Sequence, residues 1–429
     1  MIFNVRDYGA VGDGAQKDTG PLQEAIDACT EAGGGRVHVP PGTYVIGTIV
    51  LKDNVEVHVD GGATLLGSPD REDYDATHNL PADTGYTFEK VGAEHLILAV
   101  NADNIALTGR GLIDGNAEAF MDLERSGLDA ICDWRPGQMI CLCGCTHVNI
   151  RNLRFRNPPY WTIRPWGCTS VVIHGIRIDN HINIPNGDGV DIDACRDVVL
   201  SDCIINSSDD SITLRGCGME GLPRQDCENV TVSNCVLSTR CTGVRVGVGN
   251  GDIRNASFSN LVIRNVVDWG QGIDFMPWKL STGDQEMPEG DPTSEDIRFT
   301  NIVMDAGLPI RLWSGDEEGE HRGKVRRISF SGMDIRGRAW SLLEGTERNP
   351  MEDVKFSDVD FRLRGQIPAE GRVEEVPFPT PRYGVRSGVP YGLFARKVRG
   401  LTMHGVRFGW DETADGWKDG LHLDSCADV

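Results

Sequence analysis

One short pattern recurs along most of this chain, and it limits the possible folds more than any other feature. Each copy is a few alternating apolar residues, a small or polar pair, then more alternation. Copies open at Asn104-Ile-Ala-Leu-Thr-Gly, Val148-Asn-Ile-Arg-Asn-Leu-Arg-Phe-Arg-Asn157, Val171-Val-Ile-His-Gly-Ile-Arg-Ile-Asp-Asn180 and Val198-Val-Leu-Ser-Asp-Cys-Ile-Ile-Asn206. Others open at Val230, Ala256, Ile297, Ile328, Val354 and Leu401, so that successive starts lie mostly 23–32 residues apart. Alternation of period two marks a half-buried strand. No helical segment separates the copies, which argues against βαβ units, and an immunoglobulin-like sandwich would not be self-similar in this way. Strands joined by bends at this period predict an all-β parallel β-helix, each coil buried by stacking on its neighbours.

The 429 residues are read as one domain. Residues 1–66 are an N-terminal cap with the first coils, 104–410 the repeated coils and 411–429 a C-terminal tail. Within the cap, Asp18-Thr-Gly-Pro-Leu-Gln-Glu-Ala-Ile-Asp-Ala-Cys29 reads as a helix. Pro21 suits its first turn, Leu22, Ala25, Ile26 and Cys29 form one apolar face, and Gly33-Gly34-Gly35 stops it. A helix here is expected to cover the open apolar end of the coil stack. Strands follow at Arg36-Val-His-Val, Thr43-Tyr-Val-Ile, Val55-Glu-Val-His-Val and Ala63-Thr-Leu-Leu. Long loops are expected at 68–95, 116–137, 216–228, 275–295 and 366–399.

A net charge of −22 argues against nucleic acid or an anionic membrane as partner. No run approaches the ~20 apolar residues of a membrane span. The opening MIFNVRDYGAVGDG shows no secretory signal pattern, and thirteen cysteines fit no disulfide framework. Both point to a reduced, cytoplasmic location.

The chemistry concentrates in Asn186-Gly-Asp-Gly-Val-Asp-Ile-Asp193 and, about one repeat later, Ser208-Asp209-Asp210. On neighbouring rungs of a parallel stack, roughly 5 Å apart, these bring Asp188, Asp209 and Asp210 into one patch. Acids so close repel, and at least one is expected to have the raised pKa that a general acid needs. Acidic turn residues that merely end strands are the plainer alternative.

Cys141, Cys143 and Cys145 alternate, which predicts one face of a strand, and their spacing does not suit zinc. Cys203 and Cys235 occupy equivalent places in adjacent repeats, as interior small residues would. His181 lies just before Asn186 and has either a surface or a site role. Tyr160, Trp161 and Trp166 suit a sugar platform or core packing, and Trp278 suits sugar stacking or a plain loop. No phosphate loop, dinucleotide fingerprint or Ser-His-Asp set can be assembled.

These motifs resemble the polygalacturonase-type glycoside hydrolases of family 28 over nearly the whole chain. The resemblance rests on FNVRDYGAVGDG with GGGRVHVPPGTY in the cap, then NPPYWTIRPWGC, PNGDGVDIDAC and SSDDSITLRG. It implies a right-handed parallel β-helix that hydrolyses pectic chains with inversion. It also implies that Asp209 is the general acid and that Asp188 and Asp210 activate water. Arg215 sits where bacterial members usually carry lysine. The usual Asn-Thr-Asp is here Asn186-Gly187-Asp188, and the usual Gly-His-Gly is Cys241-Thr242-Gly243, without the histidine. The Arg-Ile-Lys that grips galacturonate falls near Gly272-Ile273-Asp274-Phe275, which holds neither cation. Arg240 and Arg245 are candidate replacements.

The expectation is an inverting glycoside hydrolase on short pectin or rhamnogalacturonan oligosaccharides, without metal or organic cofactor. It is expected to be exo-acting and to take a neutral or non-galacturonate residue. Expected substrate contacts are Asn186, Arg215, Arg240, Arg245, Thr242, Tyr160, Trp161, Trp278 and His181. Alternatives are galacturonide hydrolysis gripped by Arg240 or Arg245, a non-catalytic carbohydrate-binding β-helix, and a lyase or epimerase holding Ca²⁺.

Overall fold

Alternation decides the local structure. In Gly35–Val39, Val37 and Val39 turn inward while Arg36 and His38 face out, and Val55–Val59 repeats the arrangement one coil later. In a computed structural model of the protein, residues 1–74, 94–217, 226–278, 290–316, 322–365, 390–412 and 414–429 are described. The expected loops at 68–95, 216–228, 275–295 and 366–399 fall largely outside these residues, as does the side chain of Trp278. The described chain forms two units, Met1–Ser211 and Ile212–Cys217 with Asp226–Val429. Both are made of right-handed parallel β-helix coils, the class expected from the repeats. All strand pairs between coils within a unit are parallel and in register along most of their length.

In the first unit one inward column runs Val37, Val57, Leu107, Ile150, Ile173 and Leu200, each paired in register with the next. None of the six is more than 1% exposed. Full burial of such a side chain contributes about 1.5–3 kcal/mol. This unit also carries a shorter sheet of five strands: β1 Ile49–Leu51, β2 Ile97–Val100, β3 Ile140–Cys143, β4 Ile163–Trp166 and β5 Val190–Asp193. The second unit has seven equivalents: β6 Ile212–Gly216, β7 Thr242–Gly249, β8 Gln271–Trp278, β9 Leu308–Trp313, β10 Ser341–Glu344, β11 Tyr391–Arg396 and β12 Asp419–Asp424.

The bend between the two halves of each repeat has a simple cause. Its fifth residue adopts left-handed φ in copy after copy: Asn152, Gly175 and Asp202 in the first unit, and Asn234, Asn260, Asn301, Gly332, Asp358 and Gly405 in the second. These are the residue types that tolerate that conformation. In the second unit the bend is laddered as well, Asn260 donating to Asn234 at 3.0 Å and Asn301 to Asn260 at 2.7 Å. Behind the ladder, Phe258, Phe299, Phe330 and Phe356 stack at centroid spacings of 4.9, 5.2 and 4.8 Å.

The expected helix forms as α1, Thr19–Glu31, burying Leu22, Ala25, Ile26 and Cys29 against the first coils. Asp18 precedes it without capping it. Its carboxylate instead accepts the backbone N–H of Val11 at 2.7 Å and of Gly12 at 3.0 Å. The expected strand through all three clustered cysteines needs a correction. β3 ends at Cys143, Gly144 takes φ +64°, and Cys145 turns away to lie against Cys168. Cys141 and Cys143 stay on the other face, packed with Leu98, Trp166 and Ala194.

Candidate active site

All three acids of the expected patch lie in the first unit, Asp188 in the tight turn that leads into β5 and Asp209 and Asp210 in the tight turn that follows the strand Ile204–Ser207. Asn186 sits at φ +55°, so the chain enters the turn in left-handed geometry, and Gly187 and Asp188 follow. The Asp188 carbonyl is fixed by Thr162, whose N–H donates at 3.0 Å and whose hydroxyl donates at 2.6 Å. Asn180 Nδ2 donates to the Gly187 carbonyl at 3.0 Å and also to Thr162 Oγ1 at 3.0 Å. A side chain at Gly187 has no room, because an added Cβ would lie 2.2 Å from Ser208 Oγ. That hydroxyl is itself held, donating to the Ile184 carbonyl at 2.7 Å. Gly187 therefore follows from the Ser208 position rather than from any demand on φ.

The next rung carries the other two acids. The Gly189 N–H donates to the Asp210 carbonyl at 2.8 Å and Val190 N–H to that of Ser211 at 3.0 Å, which ties the Asp188 turn to the Asp210 turn. Ser207 Oγ donates to the Asp209 carbonyl at 2.9 Å and lies 2.9 Å from Ser211 Oγ, closing the Ser-Ser-Asp-Asp-Ser turn on itself. Asp188 and Asp210 are buried, at 3% and 4% exposure, while Asp209 is only half-buried. Adjacent carboxylates such as Asp209 and Asp210 are also hard-oxygen donors of the kind Ca²⁺ takes. An ion held there would make them ligands rather than proton carriers.

Around the patch, the first unit places several side chains that the sequence reading did not single out. Loop 116–137 folds over the Asp188 turn through two short 3-10 turns, with Ala117, Met121 and Ala130 packed on Ile184. From this loop Arg135, fully buried, reaches Asn186. Arg164 and Asp193 form a buried ion pair at 2.6 Å, and the Arg164 guanidinium lies 3.8 Å from the Trp166 ring and 5.1 Å from that of Trp161. Two of the expected platform aromatics require a correction. Tyr160 and Trp161 are 1% and 2% exposed, stack on each other at 4.9 Å, and carry Arg135 and Arg164 on their faces. They are packing residues that support buried cations, and neither offers an open face to a sugar. His181 is exposed on the turn, its Nδ1 accepting the Asn183 N–H at 3.3 Å.

The remaining expected contacts belong to the second unit. Arg215 on β6 is 5% exposed. Arg245 on β7 donates to Asp274 Oδ2 at 2.9 Å and to Thr242 Oγ1 at 2.8 Å, so this arginine is engaged by the protein. Thr242 in turn donates to Gln271 Oε1 at 2.9 Å. Arg311 grips the same Asp274 with two bonds of 2.7 and 2.8 Å. The strands align Arg245, Asp274 and Arg311 across β7, β8 and β9. The 272–275 segment lacks a cation of its own, yet stacking brings it two. Arg240 is half-buried, 5.5 Å from the Trp269 ring.

A stack of parallel coils whose tight turns present paired carboxylates defines a class of fold, the parallel β-helix. Residues 29–220 match the family described as glycosyl hydrolases family 28. It is similar to a probable polygalacturonase of Vitis vinifera, 28% identical over 49% of this chain and 43% of that protein. It is also similar to an exo-poly-alpha-D-galacturonosidase of Dickeya chrysanthemi, 26% identical over 62% of this chain and 51% of that one. The chain thus spans about half the length of these curated relatives. An exopolygalacturonase structure from Thermotoga maritima shares the fold with a TM-score of 0.66 at 23% identity, covering 84% of this chain and 87% of the other.

Proposed function

We propose that this protein is a glycoside hydrolase that cleaves pectic oligosaccharides by inversion. Asp209 gives its proton to the leaving glycosidic oxygen. Asp188 and Asp210 take a proton from the water that attacks the anomeric carbon from the opposite face. Such a single displacement needs acid and base roughly 6.5–9.5 Å apart, with room for that water. The observation that carries the reading is the bond from Gly189 to the Asp210 carbonyl, which joins the Asp188 and Asp210 turns directly beside half-buried Asp209. The family match and relatives named for polygalacturonate cleavage support the substrate class. The Dickeya relative, named as an exo-enzyme, favours action from a chain end.

For the residue released, we favour a neutral or non-galacturonate sugar, because Arg245 is already bonded to Asp274 and Thr242. The second reading is galacturonide hydrolysis with Arg240 or Arg245 gripping the carboxylate. Cytoplasmic placement belongs to the same proposal and rests on the thirteen cysteines.

A product screen over homogalacturonan fragments, rhamnogalacturonan fragments and neutral glycosides tests these points, with Asp209→Asn as control. Release of a neutral sugar that the variant abolishes is the expected result. Release of galacturonate that is lost in Arg240→Ala supports the second reading. Product with an unsaturated ring or inverted sugar stereochemistry, sensitive to chelator, points to a lyase or epimerase. Binding without any turnover leaves a carbohydrate-binding protein.

A further inference from the structure

We infer that the second unit carries, on the outer face of its longer strands, a groove that binds a galacturonate-bearing stretch of a pectic chain. The inference rests on the pectic substrate class proposed above and adds a second place to hold it. The backbone sets the groove. Asn255, Asp296, Arg327, Asp353 and Gly400 stack one coil on the next, and all take left-handed φ between 54° and 73°. Each bends its strand at the same level, where the pairing passes over that residue and resumes in register beyond it. Asp296, Arg327, Asp353 and Gly400 line a groove of about 600 Å³ that runs across the coils at this level.

Beyond the bend, the residues that alternate with the buried phenylalanines line the groove. Arg298, Ser329, Lys355 and Thr402 form one in-register row, and Thr300, Ser331 and Ser357 form a second. Each hydroxyl both donates and accepts, as binding the hydroxyls of a sugar requires. Arg298 and Lys355 are exposed, and among the described residues neither forms an ion pair. Arg327 is engaged, bonded twice to Asp296 at 2.9 Å. Three cations and two acids thus line the groove, a net of +1 on a chain whose net charge is −22. Guanidinium and ammonium groups hold carboxylates through charge-assisted hydrogen bonds. Arg298 and Lys355 lie two coils apart, roughly 10 Å along the stack, which suits carboxylates spaced along a hydroxyl-rich chain. A nucleic acid, with its charge packed densely, would be repelled by so acidic a protein. Ile328, Phe330 and Val354 reach the lining with their side chains buried, so the groove offers nothing to an apolar partner.

Calorimetry of polygalacturonate on Asp209→Asn protein, which is expected to leave the polymer uncleaved, tests the groove. In that background Arg298→Gln and Lys355→Gln are each expected to weaken binding about threefold and together about tenfold, as the loss of exposed charge contacts would. The difference should shrink as salt rises. Lys355→Arg keeps the charge and is expected to bind like the parent, and a neutral galactan is expected to distinguish none of these proteins. Polygalacturonate that binds the double variant as tightly as the parent, or that binds neither, overturns the inference. So does a loss in Lys355→Arg equal to that in Lys355→Gln, or a galactan that the double variant loses to the same degree, because charge would then not be the basis. With Asp209 intact, hydrolysis of a short pectic fragment is expected to be unchanged by the double substitution. A protein that cleaves no pectic fragment, yet loses polygalacturonate with these two cations, refutes the hydrolase reading and leaves the groove. Cleavage retained, with polymer binding unmoved by the double variant, refutes the groove and leaves the hydrolase.

Discussion

At the scale of single residues, the Asp188 turn is set by close contact rather than by backbone preference. Gly187 is a residue whose φ lies in ordinary space, yet an added Cβ would meet Ser208 Oγ at 2.2 Å and Ile184 Cγ2 at 3.0 Å. Ser208 cannot swing aside cheaply, because its hydroxyl is bonded to the Ile184 carbonyl. Gly187→Ala is therefore expected to destabilise the protein by about 1–3 kcal/mol, the usual cost of overpacking. Ser208→Ala removes the obstructing oxygen, and the double variant should recover most of the loss in a denaturant titration. If the single variant is as stable as the wild type, the turn is looser than described. The three acids and Asn186 are legible in the sequence because each lies within a few residues of a recognisable motif. Arg135 is not, since its partners are 24 to 51 positions away and no local pattern marks it.

At the scale of elements, the second unit depends on repetition. Phe258, Phe299, Phe330 and Phe356 are each fully buried and stacked nearly parallel, with interplanar angles of 10°, 11° and 17°. Removing an inner ring leaves a gap bounded by rings above and below that cannot close, because the backbone rungs hold them apart. Phe330→Ala is expected to cost about 3–5 kcal/mol, and Phe330→Leu clearly less. Equal losses from the two would show that the stack relaxes around the gap. The column follows from the repeat, because the third residue of these copies is phenylalanine at Phe258, Phe299, Phe330 and Phe356 alike. The bend at the fifth position was equally visible as a small or polar residue, and the structure supplies the reason in its left-handed φ.

At the scale of the whole chain, none of the thirteen cysteines is in a disulfide, and among them only Cys132 is exposed. Burial pushes the Cys143 thiol up to about 11, and the bond to Cys168 with burial raises Cys145 further. The thiolate is the nucleophile, so raised values keep these thiols unreactive while the coils are closed. Brief alkylation of native protein at pH 8, read by peptide mass spectrometry, should modify Cys132 first and leave Cys143, Cys145 and Cys168 untouched. Early modification of these three would mean that the coils open readily. The sequence by itself determined the fold class, the capping helix, the bends and the adjacency of the acid-bearing turns, because each is written in residues adjacent in the chain or in one repeat period. Tertiary structure alone decided what faces what. It turned Tyr160 and Trp161 inward beneath two arginines, moved Cys145 off its strand, and brought Arg245 and Arg311 to a single aspartate. Stacking joins residues one coil apart, and where insertions vary the coil length, the partner of a buried charge cannot be counted along the chain.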